Sequence, residues 1–210
     1  VRDRRAAFLA AFPVSRETEQ RLARYEALLL ARNRTLSLIS STTEDAIWTR
    51  HFLDSAQLAP LIVDPQDSVV DIGSGAGFPG LVLAIMGLPN VHLVENNMKK
   101  VAFLRSVIAE LDLPVTLHPM KAESVKPFVA GAVVARALKP LSELLSLSRS
   151  LRGPRTVCVF PKGRRAEEEL LQAQRDWNMH IERFPSLTSD ESTILRLGEI
   201  IPTGAARAQA

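Results

Sequence analysis

Apolar and polar positions along the chain change their period once, near residue 65, and that change organises the reading. Over Ser15–Arg32 the apolar residues Leu22, Tyr25, Leu28 and Leu29 recur at helical spacing behind a serine suited to capping, which predicts an amphipathic helix. A second helix is expected from Thr42 or Thr43 to about Leu58, with Ile47, Phe52, Leu53 and Ala56 facing inward. Pro60 and Pro65 then punctuate the chain, as prolines do at element boundaries.

From Ser68 onward, short β-branched runs alternate with helical patterns. Strands are predicted at Ser68–Ile72, Val91–Glu95, Val115–Pro119, Gly131–Arg136 and Thr156–Phe160. Helices are predicted at Pro79–Met86, Lys99–Leu111, Leu141–Arg152 and Ala166–Asp176. Such β-α alternation implies a mostly parallel sheet covered on both faces. The ending differs, because Ile181–Pro185 and Ser192–Ile200 read as two strands with no helix between them. An antiparallel edge pair is therefore expected. The predicted organisation is an N-terminal helical extension over 1–64, an α/β domain over 65–203 and a flexible tail over 204–210.

The densest signal is Val69–Gly80, V-V-D-I-G-S-G-A-G-F-P-G. A strand ending in Asp71 runs into Gly73, Gly75 and Gly77, and Phe78-Pro79-Gly80 opens a helix. Glycines there let the backbone take positive φ and approach a ligand closely. Gly75–Gly80 also fits the dinucleotide pattern G-x-G-x-x-G. That pattern places a pyrophosphate on the helix N-terminus, a position that Phe78 and Pro79 crowd. S-adenosylmethionine (SAM) carries no phosphate and tolerates them, so a SAM-type Rossmann-like methyltransferase sheet is the leading reading. A dinucleotide site and a purely structural turn are the alternatives.

In an open α/β sheet ligands bind beyond the C-terminal strand ends, which ranks the other candidates. Glu95, followed by Asn96 and Asn97, is placed to accept from the two hydroxyls of a ribose. Ala122 and Glu123 follow the third strand at a position suited to an adenine edge. Arg136 ends the fourth strand, as a ligand-binding group or a surface ion pair. Lys162 follows the fifth, where RNA phosphate or base is a candidate partner. His51 and Asp54 share a helical face, as a packing pair or a polar patch beside the substrate. No Cys/His group has metal-ligand spacing, and no metal is expected. The single cysteine, Cys158, lies in an apolar run, reads as a buried inert thiol and fits a reducing, cytoplasmic setting.

The chain has 210 residues, a formal net charge of +3 and 5% aromatic residues. So few aromatics argue against base stacking on a broad platform. Six basic residues and no acid lie between Arg149 and Arg165, and a second basic group lies near the N-terminus. Clusters of this kind are candidate phosphate-binding footprints. No apolar run approaches membrane-spanning length, and no signal-peptide pattern is seen, so no membrane partner is expected.

Separated blocks combine into a resemblance: R-H-F-L-D-S at 50–55, D-I-G-S-G-A-G-F-P-G at 71–80, K-K-x-x-F-L-R at 99–105, A-E at 122–123, A-R-A-L at 135–138 and P-K-G at 161–163. The chain resembles the RsmG (GidB) family of bacterial methyltransferases over about Tyr25 to Ile200. The resemblance implies SAM-dependent methylation of guanine N7 in 16S ribosomal RNA, at the site called guanine 527, by a cytoplasmic enzyme, and a monomer is expected. It implies cofactor contacts at Gly73, Gly75, Phe78, Glu95, Ala122, Glu123 and Arg136, with Asn96 and Asn97 on the same loop. Arg136 and Lys162 are candidates for positioning the base or its phosphate, and the family chemistry does not decide which. Glu95 stands where the family often has aspartate. In the N-terminal region Asn33 and Leu38 match the family pattern, while Ser37 and Ile39 replace its Asn and Thr. Methylation of a small molecule or protein, and a non-catalytic SAM- or RNA-binding module, are the competing functions.

Overall fold

The computed structural model describes residues 2–62 and 68–204. The expected boundary at 64/65 and the expected tail beyond Gly204 lie outside the described residues. Seven strands form one sheet in the order β3-β2-β1-β4-β5-β7-β6. The first five are β1 Val69–Ile72, β2 Val91–Val94, β3 Val115–His118, β4 Ala132–Val134 and β5 Val157–Lys162, and they are mutually parallel. The closing pair, β6 Trp177–Pro185 and β7 Thr193–Pro202, is antiparallel, with β7 lying between β5 and β6. The chain order reverses beside β1, which has β2 on one side and β4 on the other. That switch point leaves a crevice beyond the strand ends, where such sheets bind ligands.

Side chains alternate across β1 with the two-residue period of a strand. Val69 joins the core on one face, with Phe103 of α5 Met98–Glu110 and the N-terminal helices. Val70 and Ile72 join the core on the other, with Leu144 of α6 Leu141–Leu147 and Leu170 of α7 Ala166–Ala173. Asp71 projects toward the first face, beneath α4 Gly80–Ile85, where its carboxylate meets Gly80 N.

α1 Arg2–Ala11 is a helix that the apolar pattern does not foretell, because Phe8 is the one fully buried side chain among its described residues. Phe8 packs edge-to-face on Trp48 at 5.4 Å, and Arg5 lies over the same indole. α2 Arg16–Leu36 starts at Ser15, whose Oγ accepts from Thr18 N, and stops at Ser37, whose φ of 47° breaks the helix.

The second expected helix, to Leu58, is instead three short pieces: a 3-10 segment Ser41–Ala46, a π segment Trp48–Leu53 and α3 Asp54–Ala56. Hydroxyls compete for the backbone throughout it. Thr43 donates to Ser40 O, Thr49 to Ala46 O and Ser55 to His51 O, which is how Ser and Thr disfavour a regular helix. The helix expected over Leu141–Arg152 likewise ends as α6 at Leu147 and continues as a 3-10 turn, Arg149–Leu151. β6 begins at Trp177, four residues before the apolar pattern suggests, because Trp177 packs into the core beneath Arg152.

Tyr25 ties α2 to the glycine turn. It is fully buried, stacks on Phe52, and donates from its hydroxyl to Ala76 O at 2.5 Å. Tyr25→Phe keeps the ring and deprives Ala76 O of that donor. Urea denaturation should show a loss of about 1–3 kcal/mol, the range for a buried polar group left unpaired.

Candidate active site

The turn after β1 takes the conformation that its glycines permit. Gly73, Gly75 and Gly77 have φ of 70°, 59° and 102°. A Cβ on Gly73 would meet Leu138 Cδ1 at 2.6 Å, so a side chain there collides as well as strains the backbone. A Cβ on Gly75 would meet only Gly73 O, at an ordinary contact distance of 3.8 Å, so its φ alone demands glycine.

The amides that a dinucleotide site would offer to phosphate are already engaged. Gly80 N donates to Asp71 Oδ2 at 2.9 Å, Gly75 N to Glu95 Oε2 at 2.9 Å, and Gly77 N and Phe78 N both to Ser74 O. A buried carboxylate thus occupies the anion position at the helix N-terminus. The dinucleotide alternative fails on this geometry. Pro79 sits one residue before α4, as its N-cap, and the Phe78-Pro79 bond is cis.

Asp71 is wholly buried and its Oδ1 has no partner among the described residues. Burial pushes its carboxyl up to about 7, against the opposing hydrogen bond from Gly80 N. Glu95 is also buried. Its Oε1 accepts from Asn97 N at 2.7 Å while Oε2 holds Gly75 N. It therefore clamps the β1 and β2 loops together, and each oxygen keeps lone-pair capacity for a further donor. Asn97 spends its side chain on capping α5, accepting from Lys99 N and Lys100 N.

Two connected lobes open beyond the strand ends. The larger, of 470 Å³, runs over Gly75, Phe78, Glu95, Asn96 and Arg136. The smaller, of 270 Å³, has apolar walls from Ile72, Val94, Met120 and Leu147, with Ala122 and Glu123 at its edge. Gly73, Asn96 and Leu138 line both. A polar lobe holding a carboxylate is thus joined to a smaller slot with apolar walls, rimmed by Lys121, Lys139 and Glu143. All of the predicted cofactor residues are brought together here. Leu38, Ile39, Lys100 and Leu138 also line the lobes, and sequence reasoning does not single them out as cofactor neighbours. Of these, Lys100 falls within the K-K-x-x-F-L-R block and Leu138 within the A-R-A-L block, whereas Leu38 and Ile39 lie in the N-terminal segment compared with the family pattern.

A third cleft, of 590 Å³, adjoins the larger lobe at His51 and Arg136–Leu138. Arg136 is both an ion-pair member and a site residue. It donates to Arg50 O at 3.1 Å, Asp54 Oδ2 at 3.3 Å and His51 Nδ1 at 2.9 Å, and it lies 4.7 Å over the Phe78 ring. The π segment is what places Arg50 O and His51 around one guanidinium, an instance of π register at a functional position. Burial, then Arg136, then Arg50 push the His51 imidazole down to about 3. It is neutral at pH 7, accepting from Arg136 and facing Thr43 Oγ1 through Nε2 at 3.0 Å. Asp54 also accepts from Thr188 Oγ1 at 2.9 Å and Gln57 Nε2 at 2.9 Å, so the β6–β7 loop joins the same network. Thr188 carries no sequence signal.

Lys162 lines this cleft, but its ammonium is engaged, donating to Glu169 at 2.8 Å and Lys139 O at 2.9 Å. The Arg149–Arg165 cluster does not form one surface. Arg149, Arg152 and Arg155 precede β5, and Lys162, Arg164 and Arg165 lie at its other end, roughly 20 Å away at strand rise. Arg152 is a structural group, donating to Leu145 O and stacking on Trp177. Asn33 is structural too: buried, it exchanges hydrogen bonds with the backbone of Ile39 and donates to Glu44.

The sheet order, the glycine turn without an anion site and the carboxylate-bearing lobe define a SAM-dependent methyltransferase of the Rossmann-like class. The crystal structure of magnesium protoporphyrin IX methyltransferase from Synechocystis, determined with bound SAM, shares the fold at a TM-score of 0.60 with 14% identity, over 83% of this chain and 97% of that one. The family described as rRNA small subunit methyltransferase G (GidB) matches residues 18–194. A Ribosomal RNA small subunit methyltransferase G from Rhodospirillum centenum is 51% identical, over 94% of this chain and 91% of that protein. Its namesake in Rhodospirillum rubrum is 45% identical, over 92% and 96%. The chain belongs to this family.

Asp71 makes stability depend on pH in a predictable sense. Its folded pKa is raised to about 7, so between about pH 4 and 7 the native state holds a proton that the unfolded state has lost. Stability contributed by this group therefore falls as pH rises through that window. Asp71→Asn removes the titration, and the variant's stability relative to the parent should rise from pH 4 to 7 in urea melts.

Proposed function

We propose that this protein transfers a methyl group from SAM to N7 of a guanine in 16S ribosomal RNA, at the guanine 527 site, acting as a monomer on the small ribosomal subunit. The observation that carries the reading is the meeting of two compartments at Arg136–Leu138 in a chain of this family. One compartment suits an adenosyl group and the other is a cleft wide enough for a base. The residues fit the cofactor: glycines without side chains at the turn, Glu95 with spare acceptor capacity for ribose hydroxyls, and Ala122 and Glu123 beside the apolar slot. When bound, SAM supplies a methyl carbon made electrophilic by a sulfonium leaving group.

Guanine N7 presents an in-plane lone pair and needs no proton removed, so alignment is the chief requirement. This agrees with His51 being neutral but committed on both nitrogens, and with Asp54 committed on both oxygens. Arg136 forms the wall between the compartments, fixed by three acceptors, and orients what enters from the cleft side. Lys162 supports that wall through Lys139 O. The target guanine must be unstacked to enter, as a single-stranded loop permits.

The test is regiochemical. Small subunits lacking the modification are incubated with the enzyme and SAM, and the RNA is then treated with borohydride and aniline. N7 methylation fixes a positive charge on the purine and labilises its imidazole ring, so scission at one guanine of 16S RNA is expected. Methyl incorporation without scission would place the methyl elsewhere, and no incorporation would leave a binding module.

RNA affinity should draw on the cleft end of the sheet alone. Arg50 and Arg165 are exposed and line the cleft. Replacing both by Ala should flatten the salt dependence of RNA binding by about 0.7 in log-log slope for each phosphate no longer neutralised. The Arg149→Ala/Arg155→Ala pair, at the far end, should keep the parent's slope.

A further inference from the structure

The cleft holds two carboxylates, Asp54 and Glu169, and they differ in what they have left to offer. Asp54 is engaged through both oxygens, with Arg136 on one and Thr188 and Gln57 on the other. Glu169 takes all of its donors on Oε2: Leu141 N at 2.9 Å and Lys162 Nζ at 2.8 Å. Its Oε1 has no partner among the described residues and is not among the buried unpaired atoms, so it keeps solvent access in a side chain that lines the cleft. The side chain is 19% exposed, against 63% for Glu167 two residues earlier on the same helix. A carboxylate fixed through one oxygen and open through the other is ready to accept from a substrate.

Guanine is the base that offers donors to such a group. Its N1–H and N2 amino group lie on the edge away from N7, so a guanine whose N7 faces the Arg136–Leu138 wall turns that edge into the cleft. Adenine presents a lone pair at N1 and no 2-amino group, and a carboxylate facing it gains no hydrogen bond and meets repulsion. Resting on the functional reading above, we infer that Glu169 is the specificity-determining residue of this cleft, accepting through Oε1 from the Watson–Crick edge of the target guanine. The Lys162 pair and the Leu141 amide fix the carboxylate before the base arrives, so little freedom is lost on binding.

Small subunits reconstituted on ligated 16S RNA, carrying either guanosine or inosine at the target, supply the test. Inosine keeps N7, O6 and N1–H and lacks only the 2-amino group. The parent's single-turnover kcat/KM should be about 5- to 150-fold lower on inosine, the range for a well-made base contact. Glu169→Gln leaves its oxygen with Leu141 N and turns an amide donor toward the base. Its guanosine rate should fall to near the inosine rate while SAM affinity stays at the parent's value. Glu169→Asp, which keeps the charge but withdraws it, should also collapse the ratio. A purely structural Glu169 would slow both substrates equally and preserve the ratio, which overturns the inference, as does a parent indifferent to inosine. Failure of the parent to methylate the guanosine subunits overturns the functional reading itself, and this inference with it.

Discussion

A buried carboxylate at the end of the central strand holds the site in register. Asp71 has no access to water and accepts from Gly80 N, which fixes where the glycine turn becomes a helix. Burying an acid is costly, and the rise of its carboxyl to about 7 records that cost. What the arrangement gives is a helix start whose positive end is satisfied internally. The turn above it is then free of anion-binding demands, and Glu95 clamps that turn from the neighbouring strand. The 470 Å³ lobe opens over the turn that Glu95 clamps, and Glu95 itself lines it.

Around this frame the cleft is assembled from segments distant in sequence. Arg136 follows β4, His51 and Asp54 come from the π and α3 segments, and Thr188 comes from the loop between β6 and β7. The neutral His51 follows from this arrangement. Burial first, and then a guanidinium donating to its Nδ1 with Arg50 nearby, disfavours a positive charge on the ring. The network is thus rigid and charge-balanced without offering a titrating base near pH 7, which suits attack by a lone pair that is already free.

Much of this is legible in the chain because it follows local rules. The strand-glycine-helix unit, the alternation of elements and the final antiparallel pair come from short-range periodicity and turn chemistry. Glu95, Ala122 and Arg136 follow from the rule that ligands sit at strand ends. What escapes depends on long-range geometry. Leu38 and Leu138 are ordinary apolar residues until folding turns them toward the lobes. The six basic residues near Arg149–Arg165 are close in sequence, yet a strand of six residues sends them to opposite ends of the sheet. The helix expected after Thr42 breaks up because hydroxyls along it bond to the backbone, a competition that hydrophobic spacing does not register.

The place of β7 has a consequence for when the enzyme comes into being. Among the described strands β7 comes last in chain order, yet it lies inside the sheet, between β5 and β6. Until it is made, β6 has no strand to pair with and β5 remains an open edge. The loop that carries Thr188 to Asp54 is likewise without its second anchor. A chain halted before β7 would hold the glycine turn and the residues that line the two lobes, but an unfinished cleft.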